Sequence, residues 1–189
     1  MADIKGVELK GAIYFLKKRF GESAVNAAIE SLSIEDQALL PSVLLDSSWY
    51  PHSVWRVVRR LSRVLVGNSE RGDEFPFELG KFMAHYAFTG VYRSLLEKTP
   101  LKQVEKFAWI KDFLSRDARH VETKILSDTS CLVRYRYEQG AVPTRSTCAS
   151  NMGFWTETLE LSGARNVKGK HLGCVLNGLS CCEYTFEWQ

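Results

Sequence analysis

The dipeptide Asn177-Gly178 lies between two stretches of alternating polarity, and no other feature constrains the chain so tightly. Asn-Gly tolerates the positive φ angles of a two-residue hairpin turn. A reversal there makes residues whose numbers sum to 355 face each other. Glu187 then pairs with Lys168 and Thr185 with Lys170, while Trp188, Phe186 and Tyr184 meet Val167, Gly169 and His171. One face is polar and the other aromatic, and a slip of one residue would mix them. This register also sets Cys174 against Cys181 on the polar face. Cys182 points the other way, because strand neighbours alternate.

The thiols Cys174 and Cys181 are therefore the candidate metal ligands. They are equally candidates for a reversible redox pair, or for plain packed thiols at a sheet end. Two sulfurs do not complete a structural zinc site, which takes four ligands, and no Cys-x-x-Cys motif is present. The odd count of five cysteines, irregularly spaced, argues against a disulfide framework. Cys131 and Cys148 have no placement from sequence. His171, opposite Tyr184, reads as a hydrogen-bonded core histidine, and Cys182 as a core residue.

Upstream, the pattern predicts helices over 7–20, 22–32 and 33–40, ended by Pro41. A helix over 51–66 has Pro51 in its first turn and Gly67 past its end. A longer helix covers about 76–97, and Thr99-Pro100 opens another to about Arg116. Segment 120–138 alternates as a hairpin, with Val121, Thr123 and Ile125 on one face with Cys131, Val133, Tyr135 and Tyr137. That pairing needs a loop with an odd number of residues. A helix over about 149–162 follows.

Two constellations lie around the 51–66 helix. Arg56, Arg59, Arg60 and Arg63 form a basic stripe with no acid between Ser47 and Ser69. Acids such as Asp73, Glu74 or Glu78 could answer it; otherwise it is a docking surface for an acidic protein, a phosphate-bearing ligand or anionic lipid. Trp49, Tyr50 and Trp55, with Phe82 and Tyr86 opposite, are candidate lining of a ligand pocket. His85 falls on a side of the long helix that reads as solvated.

A length of 189 residues suits one domain, helical over 1–117 and hairpin–helix–hairpin over 118–189. Net charge is +3, too mild for DNA, and no DNA-binding motif occurs. No run of 18 apolar residues predicts a transmembrane segment, and the first 20 residues do not read as a signal peptide, so a cytoplasmic protein is expected. The absence of nucleotide-binding, metalloprotease and hydrolase motifs points away from an enzyme.

The segments "YPHSVW" (50–55), "FELGKFMAHYAFTG" (77–90), "GFWTETLELSGARNV" (153–167) and "CEYTFEW" (182–188), in this order, resemble a bacterial family known from myxobacterial and other deltaproteobacterial paralogues. That family is similar to the 4-vinyl-reductase-type domain, and more distantly to haem-NO-binding sensors and TRAPP small subunits. The resemblance implies an α+β fold, with a helical amino-terminal part on a mostly antiparallel sheet of about four strands. It implies no catalytic residues. It implies a hold on a small ligand, a haem or a partner protein, pairing as a homodimer, and cysteines near the last hairpin as metal ligands. Haem is read as unlikely, because the Tyr-x-Ser-x-Arg motif of the haem-NO-binding group is replaced by "YRYEQ" and because His85, the only histidine inside the long helix and so the one placed for that group's axial ligand, reads as solvated. The sequence thus predicts a non-enzymatic module that binds a small apolar ligand or a protein partner, with no cofactor needed. Its alternative is a metal or thiol-redox sensor at Cys174 and Cys181, with zinc as the metal.

Overall fold

The computed structural model describes residues 3–67, 74–116, 119–138 and 143–189. Strand β1 (Asp3–Lys5) leads into α1 (Gly6–Phe20), α2 (Glu22–Glu30) and α3 (Ile34–Leu39). Strand β2 (Trp49–Pro51), α4 (His52–Val66) and α5 (Glu74–Thr89) follow. Then come α6 (Pro100–Glu105), α7 (Phe107–Leu114) and β3 (Ser115–Arg116). The rest is a hairpin, β4 (Arg119–Ser127) and β5 (Ser130–Tyr137), helix α8 (Arg145–Leu161), and a ribbon of β6 (Lys168–Gly173) and β7 (Cys182–Glu187). The architecture is α+β, as expected. Among the described residues no helix is long and apolar enough to cross a membrane.

Four strands form one antiparallel sheet in the order β4-β5-β7-β6. In the first hairpin Val121 faces Tyr135, Thr123 faces Val133 and Ile125 faces Cys131, with an irregularity before Ser127 that supplies the odd loop. Cys131, Val133, Tyr135, Tyr184 and Phe186 are buried on one side of this sheet. The other side carries ion pairs between Arg134 and Glu183 and between Arg136 and Glu122. A second, small sheet has the order β2-β1-β3. Its two- and three-residue strands are too short to leave a periodic signal, and the sequence does not announce them.

Helix α4 buries Val54, Val57, Val58 and Leu61, the predicted stripe, and ends at Gly67 with φ +64°. The predicted helix over 76–97 stops at Thr89, and the one over 100–116 breaks at Lys106 into α6 and α7. Helix α8 starts four residues earlier than predicted. Thr144 is its cap, accepting a hydrogen bond from the Thr147 amide.

One core lies between the sheet and α5 to α8; the other lies among α1, α2, α4 and the start of α5. Phe154 of α8 packs against both. Helices α5 and α8 join them by an unusually close crossing. A Cβ added at Gly80 would lie 2.0 Å from the Ser150 carbonyl oxygen, and one at Gly153 would lie 2.0 Å from the Phe77 oxygen. Both partners are backbone and cannot turn away. Along the same seam Lys81 pairs with Glu157 and Glu160, and His85 with Glu157. His85 is exposed but is held in this network rather than merely solvated.

Gly153→Ala should lower the unfolding free energy by about 2 kcal/mol or more, the scale of forced overpacking. Gly11→Ala, whose added Cβ meets nothing closer than 3.3 Å, is the control and should change it by less. Chemical denaturation of the two variants reads the difference.

Candidate metal centre

The register of the terminal ribbon follows the sequence reading along its outer half. Lys168 faces Glu187, Gly169 faces Phe186, Lys170 faces Thr185 and His171 faces Tyr184. The next pair is Gly173 with Glu183, so Leu172 is an extra residue on β6. One inserted residue reverses the alternation of everything beyond it. Cys174 therefore turns to the inner face and meets Cys182, with 3.1 Å between sulfurs. The expected pairing of Cys174 with Cys181 is corrected: Cys181 is buried but belongs to no ligand cluster among the described residues. The turn is longer than two residues as well. Val175–Asn177 forms a 3-10 turn that Cys174 caps and that Gly178, at φ +83°, ends.

Helix α8 lays Cys148 over this inner face, 3.7 Å from the Cys174 sulfur and 4.0 Å from that of Cys182. His171 completes the group. One ligand atom from each of Cys148, His171, Cys174 and Cys182 lies within 4.8 Å of the other three. The His171 ring stacks on Tyr184, with centroids 4.5 Å apart and planes 8° from parallel. It sits on the exposed edge strand, so the expectation of a core histidine is corrected. Two sulfurs bound to one tetrahedral zinc at about 2.3 Å lie about 3.8 Å apart, close to two of the three separations here.

All three thiols are buried. Burial pushes the Cys148 and Cys182 thiols up from their ordinary range, so without a cation they hold their protons. A divalent ion would displace those protons and supply the missing positive charge. The Cys174 sulfur faces the Leu176 amide at 3.5 Å, a donor that suits a thiolate. Cys131 stands apart: burial pushes its thiol up to about 12, and it is a packing residue.

Sequence reasoning missed Cys148, His171 and Cys182. A signal existed in His171-Leu172-Gly173-Cys174, a His-x-x-Cys pair with ligand spacing, followed by Cys182.

The aromatic residues expected to line one pocket do not converge. A cavity of about 110 Å³ lies between the two cores, and of the five only Trp55 lines it. Trp49 is held between Lys5 and Arg116, 4.4 and 4.1 Å from its ring centre. The Tyr50 hydroxyl accepts the Leu45 amide hydrogen. Phe82 packs on Tyr14 and Phe15, and Tyr86 on Tyr14. The arginine stripe divides too. Arg60 pairs with Asp36, Arg56 is exposed, and Arg59 and Arg63 line the cavity. Of the acids named as counter-charges, Asp73 lies outside the described residues, and Glu78 pairs with Arg19.

No family model matches this chain, and no curated protein matches it in sequence. Solved structures do match over nearly the full length. An Fe(II) unliganded H-NOX protein from K. algicida superposes with a TM-score of 0.69 at 13% identity, covering 98% of this chain and 97% of that one. An H-NOX protein from S. oneidensis in the Fe(II)NO state gives 0.68 at 16% identity, covering 98% and 99%. An oxygen-binding H-NOX domain related to soluble guanylate cyclases gives 0.69 at 11%, covering 98% and 95%. The first two are described with Fe(II), the second of them with NO bound, the third as an oxygen complex, and a further neighbour by its haem and distorted porphyrin. The expectation that haem is unlikely, drawn from a missing motif and the solvated reading of His85, is corrected by them: they point to haem. Of the relatives named from the sequence, the haem-NO-binding group is the one these structures support, and the chain has the fold of H-NOX domains.

Proposed function

We propose that this chain is a non-enzymatic ligand-binding sensor module whose terminal ribbon is fastened to α8 by one zinc ion. The observation that carries the zinc is the convergence of Cys148, His171, Cys174 and Cys182 within 4.8 Å. Three sulfurs and one imidazole are a closed tetrahedral set for zinc. With four protein ligands no position stays open for water or substrate, which suits a structural or regulatory ion rather than a hydrolytic one. A thiol-redox reading survives only in altered form, since the sulfurs that meet are those of Cys174 and Cys182.

Protein purified without chelator should carry one zinc per chain by mass spectrometry of metals. Cys148→Ser, Cys174→Ser, Cys182→Ser and His171→Ala should each weaken zinc binding by tenfold or more, while Cys181→Ser and Cys131→Ser keep it. Zinc lost with Cys181→Ser, or never present in the parent protein, contradicts this reading.

A second reading follows from the neighbours: the cavity takes haem. Its described walls include Ile4, Leu79, Met83, Leu114, Phe154 and Trp155, apolar surfaces of the kind that a porphyrin face packs against, and no histidine is among the described lining residues. Met83 and Tyr135 bring a thioether and a phenol to the lining. The Tyr135 phenol accepts a hydrogen bond from the Trp155 indole, at 2.7 Å, which fixes its direction. A bound haem iron would supply affinity for diatomic gases. Hemin added to the purified protein should give a saturable, sharpened Soret band at one equivalent, shifted in Met83→Leu or Tyr135→Phe. Unsaturable, unshifted absorption would end the haem reading and leave the zinc reading standing.

A further inference from the structure

The cavity between the two cores holds a charge arrangement that neither the zinc centre nor an apolar wall explains. Arg59 and Arg63, one helical turn apart on α4, both line it. Neither forms an ion pair among the described residues. Arg59 is half-buried, and its neighbours include Arg63, Arg119 and Arg56, so like charges crowd a partly desolvated guanidinium. Burial, with this crowding, lowers the Arg59 pKa from its ordinary value. Among the described lining residues Glu8 is the one acid, set against Arg59, Arg63, Lys111 and Arg119, and this excess of cations calls for an anion.

Helix α8 makes a second, independent demand. Asn151 of α8 lines the same cavity, and its amide nitrogen is buried with no hydrogen-bond partner. A buried donor left unpaired costs about 1–3 kcal/mol, and Ser146, Thr147 and Ser150 lie on the lining beside it. Trp55, Leu79, Met83 and Phe154 add apolar surface to the same lining. Arg63 is exposed, so the cavity reaches solvent on the α4 side.

We propose that this cavity binds an amphipathic carboxylate, its acid group held by Arg59 and Arg63 and its apolar body directed toward α8. Arginine suits this task because its planar fork can give a carboxylate two parallel hydrogen bonds. A molecule with an acceptor on its far end would also satisfy Asn151. The assignment uses the cavity as a ligand site but needs neither haem nor zinc.

The probe is sodium octanoate, compared with octan-1-ol, which keeps the apolar body and lacks the charge. Trp55 and Trp155 line the cavity, so tryptophan emission reports occupancy, and calorimetric titration gives the affinity. Octanoate should bind saturably at one equivalent and at least tenfold more tightly than the alcohol. The pair Arg59→Gln with Arg63→Gln should weaken octanoate at least tenfold and leave the alcohol unchanged. Should the pair misfold by circular dichroism, Arg63→Gln alone, at an exposed position, should weaken octanoate about fivefold. Equal binding of acid and alcohol, no binding of octanoate, or octanoate binding indifferent to the arginines would overturn the proposal. Zinc content and hemin binding, read on the same samples, tell its failure from failure of the other two readings.

Discussion

Two backbone contacts hold the molecule together where side chains would forbid them. Gly80 lets the Ser150 carbonyl of α8 approach α5, and Gly153 lets the Phe77 carbonyl of α5 approach α8. The two contacts are reciprocal, so they fix both the separation and the sliding position of the helices. Everything chemical on α8 takes its place from this seam. Cys148 lies two residues before Ser150, and Asn151 one residue after it, within the same turns. Packing energy, not helix propensity, sets where those side chains point. The ion pairs of Lys81 and His85 with Glu157 and Glu160 stiffen the seam but are part-exposed, and exposed pairs each contribute about 0–1 kcal/mol.

The second determinant is one unpaired residue. Leu172 interrupts the β6–β7 ladder, and by doing so exchanges the partner of Cys174 from Cys181 to Cys182. The bulge brings Cys174 to the side on which α8 delivers Cys148. A helix, an edge strand and a central strand thus converge on one point from three separate places in the chain. Such a point is costly to assemble from buried thiols alone, and a divalent ion that binds only the assembled form stabilises it by mass action.

Much of this was legible in the sequence, and the parts that were not have physical reasons. The sheet's two hairpins, their facing residues and the α4 stripe follow from alternation and helical spacing, which are local. The register of β6 with β7 was readable from Lys168 to His171 for the same reason. The bulge was not, because an extra residue leaves no mark in an already polar and glycine-rich stretch. Cys148 was invisible as a ligand because its position depends on the α5–α8 seam, a contact between residues 70 apart in the chain. The aromatic cluster was misread because Trp49, Phe82 and Tyr86 satisfy the pattern of a pocket equally well as that of separate packing sites. Haem was discounted on a missing motif and a solvated histidine, both local features, whereas the solved structures that share the fold point to it.

The claim on which the account turns is that α8 and the terminal ribbon meet at one metal ion. X-ray absorption at the zinc edge of the purified protein addresses it directly. The account predicts a first shell of three sulfurs at about 2.3 Å and one imidazole nitrogen at about 2.0–2.1 Å. A shell with two sulfurs and the balance in oxygen would contradict it, since it would leave Cys148 or one strand of the ribbon outside the centre.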